Sequence, residues 1–438
     1  MRKIIQYMMM ALIAVVLASC ANDISEESTP TVKSNIRFVV DDFPMFEKPS
    51  TRTIGEEDKG KTAWAVGDEI CVKLESKELG TQTATLKYNG VKFELQDGNS
   101  LGYLEDEPVT AYAYYAPNRK WLNDGNLGYK DGEHDGTAEL LEATCTVHYG
   151  DDNYIDISFA TATRNYSRLR IATMPNKPIT VDINYFTPAG SSDMKWDQNY
   201  ALTSDEKGNA YLYGTFENNS EVTVKYREAP LKTYTFSQAT ESAKSYALDA
   251  TVVSLTDEGI TRDQIVENVK KELDAGKTYI NLMLAPDVDE ETLDAIHIGL
   301  REGGASQWSI NLTLIGCKKI PSGGFMYWKI LKSIALPDVT EIAEKAFLDC
   351  TGLQKVVLGN LTKVYGNVRN NGIFDDCETR FIDLVLSKDQ KVMNDGEAEG
   401  RYCWTADIIT DYDLSDEHVS KKFLGYEFKS ITCRYKFE

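Results

Sequence analysis

From Ile36 to about Val253, apolar residues recur at every second position in short runs broken by turns. Ile70, Val72 and Leu74 alternate, as do Leu86 and Tyr88, then Val91, Phe93 and Leu95 on either side of Asn89-Gly90. Period two marks a strand with one buried face, and Asn-Gly between two such runs predicts a two-residue hairpin with both central residues at positive φ. Runs at 155–159, 169–172, 179–186, 210–216, 222–226 and 234–236 continue the pattern without helical spacing. This predicts β-sandwich packing. The region is long for one sandwich, so two subdomains with a break near Ala160–Tyr166 are expected.

After Leu255 the period changes. Ile265, Val266, Val269 and Leu273 share one helical face between a Thr261 N-cap and a Gly276 C-cap. Tyr279–Leu284 reads as a strand, and Asp289–Arg301 as a second amphipathic helix carrying Leu293, Ile296 and Leu300. A 22-residue period follows: Leu312, Ile334 and Val356 align, then Leu314, Leu336 and Leu358, then Cys317, Val339 and Leu361, then Ile320, Ile342 and Val364. Phe325 aligns with Phe347, and Phe374 comes 27 residues later, so the third repeat carries a five-residue insertion around Asn367–Gly372. Phe381, Leu384 and Leu386 are expected to open a fourth strand with the spacing of Leu353, Val356 and Leu358. A period in the low twenties with a short L-x-L strand predicts a leucine-rich-repeat solenoid. The fold class is therefore mainly β with a small α/β part.

Charge narrows the functional classes. The 438 residues carry a net charge of −21, which is poorly suited to neutralising nucleic-acid phosphates. Only the N-terminus has a long apolar run, so a multi-pass membrane protein is not expected. Past Cys20, seven cysteines remain (Cys71, Cys145, Cys317, Cys350, Cys377, Cys403 and Cys433), without CxxC or close Cys/His spacing. Small buried hydrophobes are expected for most of them, with one or two bridges open. Cys350 and Cys377 share one repeat position and would lie about one strand spacing, roughly 5 Å, apart; core filling is the expectation there. His134, His148, His297 and His418 form no HExxH, and no GxSxG, P-loop or GxGxxG occurs, so neither enzyme nor cofactor is expected. The loop Asp131–Gly136 has calcium-like composition without EF-hand spacing.

Arg2 and Lys3, the apolar stretch Met8–Ala18 and then Leu17-Ala18-Ser19-Cys20 form a signal peptide over 1–19 that resembles a bacterial lipobox. That resemblance implies diacylation of Cys20 and an anchor in the membrane through lipid. Residues 20–35 read as a polar tether. Asp23, Glu26 and Glu27 resemble the surface-export signal of lipoproteins in gut and oral anaerobes, implying an outer-membrane, cell-surface location. Ser50-Thr51-Arg52-Thr53, Trp64-Ala65-Val66-Gly67-Asp68-Glu69-Ile70 and Tyr112-Ala113-Tyr114-Tyr115-Ala116-Pro117 resemble the fimbrillin family across 36–240. The resemblance implies a two-part β-sandwich, with Arg52 at the position where proteolysis removes an N-terminal strand before a neighbour donates its own. Residues 255–438 contain Leu331–Leu353, which resembles the BspA-like repeats of bacterial surface proteins. There, Thr261–Gln307 would cap the start and Phe423–Ile431 the end.

The main functional expectation is adhesion: a surface-anchored lipoprotein binding host or bacterial surface proteins through its repeats. Lys332, Ser333, Lys355 and Asp383 are then expected at exposed positions of the strand face. A fimbrial tip or accessory subunit assembled by strand exchange is the alternative, with other fimbrial subunits as partners. A glycan-binding accessory lipoprotein is the third reading, for which Trp64, Trp121, Trp196, Trp308, Trp328 and Trp404 offer scattered aromatic surfaces.

Overall fold

The computed structural model describes residues 32–48, 60–104, 107–150, 153–160, 164–256, 259–368, 370–398, 400–411 and 421–435. Cys20, Arg52 and His418 lie outside them, as do the signal peptide and most of the tether. The chain is mainly β, with two α-helices among the described residues.

The first strands form a five-stranded antiparallel sheet built around Glu69–Ser76, facing a three-stranded sheet of Thr146–His148, Tyr154–Ile157 and Arg37–Val40. One core joins them: Ile70, Val72, Leu74, Leu86 and Ala113 from the first meet Phe38, Ile155 and Ile157 from the second. Arg37–Val40 lies at the edge of its sheet and runs parallel to Tyr154–Ile157. The Asn89-Gly90 turn differs from expectation. Tyr88 pairs with Phe93, only Gly90 has positive φ, and the Asn89 side chain accepts hydrogen bonds from the Val91 and Lys92 amides. Asn89 thus closes the loop through its carboxamide instead of adopting φ > 0 itself. Two-residue loops with both central residues at positive φ occur instead at Arg227-Glu228, between paired Tyr226 and Ala229, and at Leu424-Gly425, between paired Phe423 and Tyr426.

A seven-stranded sheet follows, from Ser167–Ala172 to Ser245–Asp249. Its strands alternate cleanly: Ile179, Val181 and Ile183 are buried while Thr180, Asp182 and Asn184 are not. Lys195–Thr203, a strand the sequence pattern did not announce, pairs only with Pro178–Pro188. Its polar composition suits an edge.

The C-terminal region begins with α1 (Arg262–Asp274) and α2 (Glu290–Glu302). Thr261 caps α1 in a reciprocal capping box with Gln264, and Asp289 caps α2. Both helices bury their apolar faces against the strands that follow. Seven parallel strands make one sheet: Val253–Ser254, Tyr279–Met283, Ile310–Ile315, Leu331–Leu336, Lys355–Leu358, Asp383–Ser387 and Ser430–Tyr435. The period appears as register: Leu312 pairs with Ile334, Ile334 with Val356, and Val356 with Leu384. Ile320, Ile342 and Val364 align likewise in a second sheet, which an antiparallel hairpin, Lys391–Ala398 and Arg401–Asp411, completes.

Between the sheets, Phe325, Phe347 and Phe374 stack with centroids 5.3 and 5.1 Å apart. Perpendicular rings, Trp328 at one end and Tyr426 and Phe428 at the other, close the stack. Cys350 and Cys377 are free thiols beside it, donating to the carbonyls of Phe325 and Phe347. Phe381 does not take the place of Leu353: it is 66% exposed on a 3₁₀ turn, and Ile382 goes inside instead.

Candidate functional site

The outward face of the parallel sheet is where a binding surface was expected. Two rows of residues cross it. Tyr279, Asn311, Ser333, Lys355, Asp383 and Ser430 are successive register partners, one per strand. Two residues further along come Asn281, Thr313, Ala335, Val357 and Val385.

The second row is covered. Ala229 of the preceding seven-stranded sheet packs on Ala335, Val357 and Val385. Asn281 donates to the Leu231 and Thr251 carbonyls, and Thr313 donates to Pro230 at 3.4 Å. Arg227 forms an ion pair with Asp338, whose other oxygen accepts from the Gly316 amide at 2.8 Å. The preceding seven-stranded sheet thus stands on the strand face and closes half of it.

The first row remains as one wall of a cleft of about 740 Å³. All four residues singled out from the sequence line it, but not as an open face. Ser333 is buried, Lys355 and Asp383 are half-buried, and Lys332 alone is exposed, at a register shift after Ile310. The expectation of four exposed positions fails because alternation tells which side a residue is on and not what covers that side. The opposite wall is the polar face of the preceding seven-stranded sheet, including Asp182, Asn184, Asn199, Glu221, Thr223 and Lys225. None of these was foreseen, although all but Asn199 fall on the polar phase of an alternating strand.

Charges in the cleft are mostly matched. Burial works against the Lys225 ammonium, but Asp182 and Glu228 hold its pKa above the usual lysine value. Burial opposes ionisation of Asp383 as well. Lys429 at 2.8 Å and the Ser430 hydroxyl at 2.6 Å nevertheless keep its pKa low, with Lys355 adding to the effect. Ser333 donates to Asn311 at 2.8 Å. Lys355 lies between these satisfied neighbours, and its ammonium makes no hydrogen bond or ion pair among the described residues. Burial, followed by the nearby Lys225 charge, pushes its pKa down.

A second feature is the segment preceding Arg52. Ile36, Phe38 and Phe43 enter the sandwich core, and Phe43 meets Trp64 edge-on at 4.9 Å. Phe46 is 1% exposed beneath the guanidinium of Arg164, which lies 4.1 Å from its ring. Arg164 is itself buried, pairs with Glu139 and donates to the Pro44 carbonyl.

Other sequence candidates find their own partners. In the Asp131–Gly136 loop, Asp135 pairs with Arg119 and Glu133 accepts from Thr137. His148 contacts Asp156, and His297 stacks on Trp328. Trp196 and Trp308 are the exposed indoles among the described residues. No group of three or more metal-ligating side chains occurs among those residues.

No family model matches the chain, and no curated protein matches it. Among solved structures, two crystal structures of variants of the shaft pilin SpaA from Lactobacillus rhamnosus GG align with it. One is 10% identical, covering 52% of this chain and 97% of the pilin, with a TM-score of 0.18. The other is 9% identical, covering 51% and 98%, with the same TM-score of 0.18. At that score the similarity carries no weight for function.

Proposed function

We propose that the chain is a cell-surface subunit of fimbrial type. Its segment before Arg52 is the exchangeable strand, and its C-terminal region is a BspA-like leucine-rich-repeat module held outward as a tip or accessory element. The observation that supports this is the contribution of that segment to the core. Ile36, Phe38, Phe43 and Phe46 are buried, yet they belong to an edge strand and its continuation, upstream of the arginine. Its removal would leave a hydrophobic groove beside the unpaired edge of Tyr154–Ile157, a template for a strand from another chain. Lipidation at Cys20 and an outer-membrane, surface-exposed location complete the reading. The test is digestion of the purified protein with an arginine-specific protease, with N-terminal sequencing and size measurement. Cleavage after Arg52 followed by oligomers that need the cut is expected; a cut chain that stays monomeric overturns strand exchange.

Adhesion by a directly anchored lipoprotein is the second reading, favoured by the cleft between the two sheets. Contact with host or bacterial surface proteins would then use that cleft and its rim, where Lys332 is exposed, and not an open strand face.

A further inference from the structure

We propose that the cleft binds an acidic saccharide, with a sugar carboxylate seated on Lys355 and the ring hydroxyls on the amide and carboxylate groups of the two walls. This goes beyond the assembly reading and does not depend on it.

Lys355 is mismatched with its surroundings. Its register neighbours Ser333 and Asp383 are both hydrogen-bonded, and across the cleft Lys225 has two carboxylates of its own. Lys355 has no such partner among the described residues, although it is half-buried. An ammonium taken partly out of water without a partner costs stability. A ligand anion placed there would offset that cost, and a charge-assisted hydrogen bond is the strong kind.

The surroundings decide which anion. Asp182 and Asp383 flank Lys355, each already neutralised by a lysine outside the row. One added negative charge is tolerated in that setting; a dianionic phosphate would face two carboxylates without an arginine to hold it. Much of the remaining lining is planar and polar, with Ile183, Pro230 and Tyr279 adding apolar surface. Asn184, Gln198, Asn199, Asn311 and Gln354 supply amides, and Asp197 and Glu221 supply carboxylates. A hydroxyl both donates and accepts, so alternating amides and carboxylates can satisfy a polyol. An apolar peptide side chain would strip those groups of water without replacing it. The volume falls in the range of small-ligand sites. Lys332, exposed at the rim, is positioned for a second acidic residue of a longer chain.

The experiment is calorimetric titration of the full chain with trigalacturonate and with sialyllactose. Maltotriose serves as the neutral control and a triglutamate peptide as the non-sugar carboxylate. Saturable binding of at least one acidic sugar is expected, with maltotriose about tenfold or more weaker, the worth of one hydrogen bond to a charged group. Lys355→Met should lose about the same factor, and Lys355→Arg should retain most of the affinity. Because Lys355→Met removes an unfavourable charge, its melting temperature should not fall, so lost binding would not reflect unfolding. The proposal is overturned if neither acidic sugar binds, if maltotriose binds equally, if triglutamate binds as tightly, or if Lys355→Met binds like the parent.

Discussion

Arg227, at the tip of a hairpin in the preceding seven-stranded sheet, forms an ion pair with Asp338 in the stacked repeats. Asp338 is buried, with 7% of its surface exposed, and its second oxygen is committed to the Gly316 amide. The pair therefore fixes one sheet on the other. Arg227 is itself about a third exposed, so solvent screens part of the interaction. Arg227→Met should cost about 2 kcal/mol, between the surface and buried limits. Urea unfolding measures it; an unchanged midpoint would show that the pair contributes nothing.

The clamp on the N-terminal segment predicts a larger loss. Arg164→Ala leaves Glu139 as a buried charge without its guanidinium and frees the Pro44 carbonyl. A cost of about 3–5 kcal/mol is expected. Limited proteolysis should then cut first within residues 41–48, before any cut in the repeats.

Two glycines should separate sharply. Gly366 has φ +78°, and a Cβ there would lie 2.0 Å from the Asn371 carbonyl oxygen. Gly366→Ala therefore meets both strain and backbone, and a loss of several kcal/mol, about 3 or more, is expected. At Gly352 the obstacle is the Trp308 ring, 1.8 Å from the added Cβ, but that indole is 54% exposed and can swing outward. Gly352→Ala should cost about 1 kcal/mol at most and shift the tryptophan emission to the red.

Lys355 gives a pH prediction. Its folded pKa is depressed below 10.5, by burial first and then by Lys225. At neutral pH it is charged in both states, and the folded state bears the cost. Between the depressed value and 10.5 the folded chain has already released the proton, so the Lys355 contribution makes stability rise with pH across that window. Lys355→Met should remove this rise and stabilise the protein at pH 7 by about 1 kcal/mol.

His297 acts at the other end of the scale. Burial, then Arg301, lowers its pKa from 6.5, with Asp294 opposing. Below 6.5 the unfolded chain takes up the proton first. Stability should therefore be complete above 6.5 and drain away as pH falls towards the depressed folded value. His297→Phe keeps a ring on Trp328, stacked at 4.5 Å in the parent, and should flatten that part of the pH–stability curve.

The C-terminal fold was legible because its signals are local and repeated. Thr261 caps its helix as expected, and Leu312, Ile334, Val356 and Leu384 fall into one register row. Phe381 misled because spacing alone placed it inward, while the 3₁₀ turn before the strand rotates Ile382 in instead. Arg227-Glu228 escaped notice because two charged residues carry no turn signature, yet both sit at positive φ with ion-pair partners. Half of the cleft was legible, since Ser333, Lys355 and Asp383 follow the repeat. Its other wall depends on how two sheets dock, and no single strand encodes that.

The parallel pairing of Arg37–Val40 with Tyr154–Ile157 also has a mechanical meaning. Tension on the chain upstream of Val32 pulls the first strand towards its start, while the second continues into the body from its opposite end. The hydrogen bonds from Arg37 to Asp41 along that ladder then carry the load together, in shear, and do not open one after another. A molecule held by its N-terminus against flow would thus load this parallel ladder in shear, just past the short pairing of Val32–Lys33 with Tyr103–Leu104.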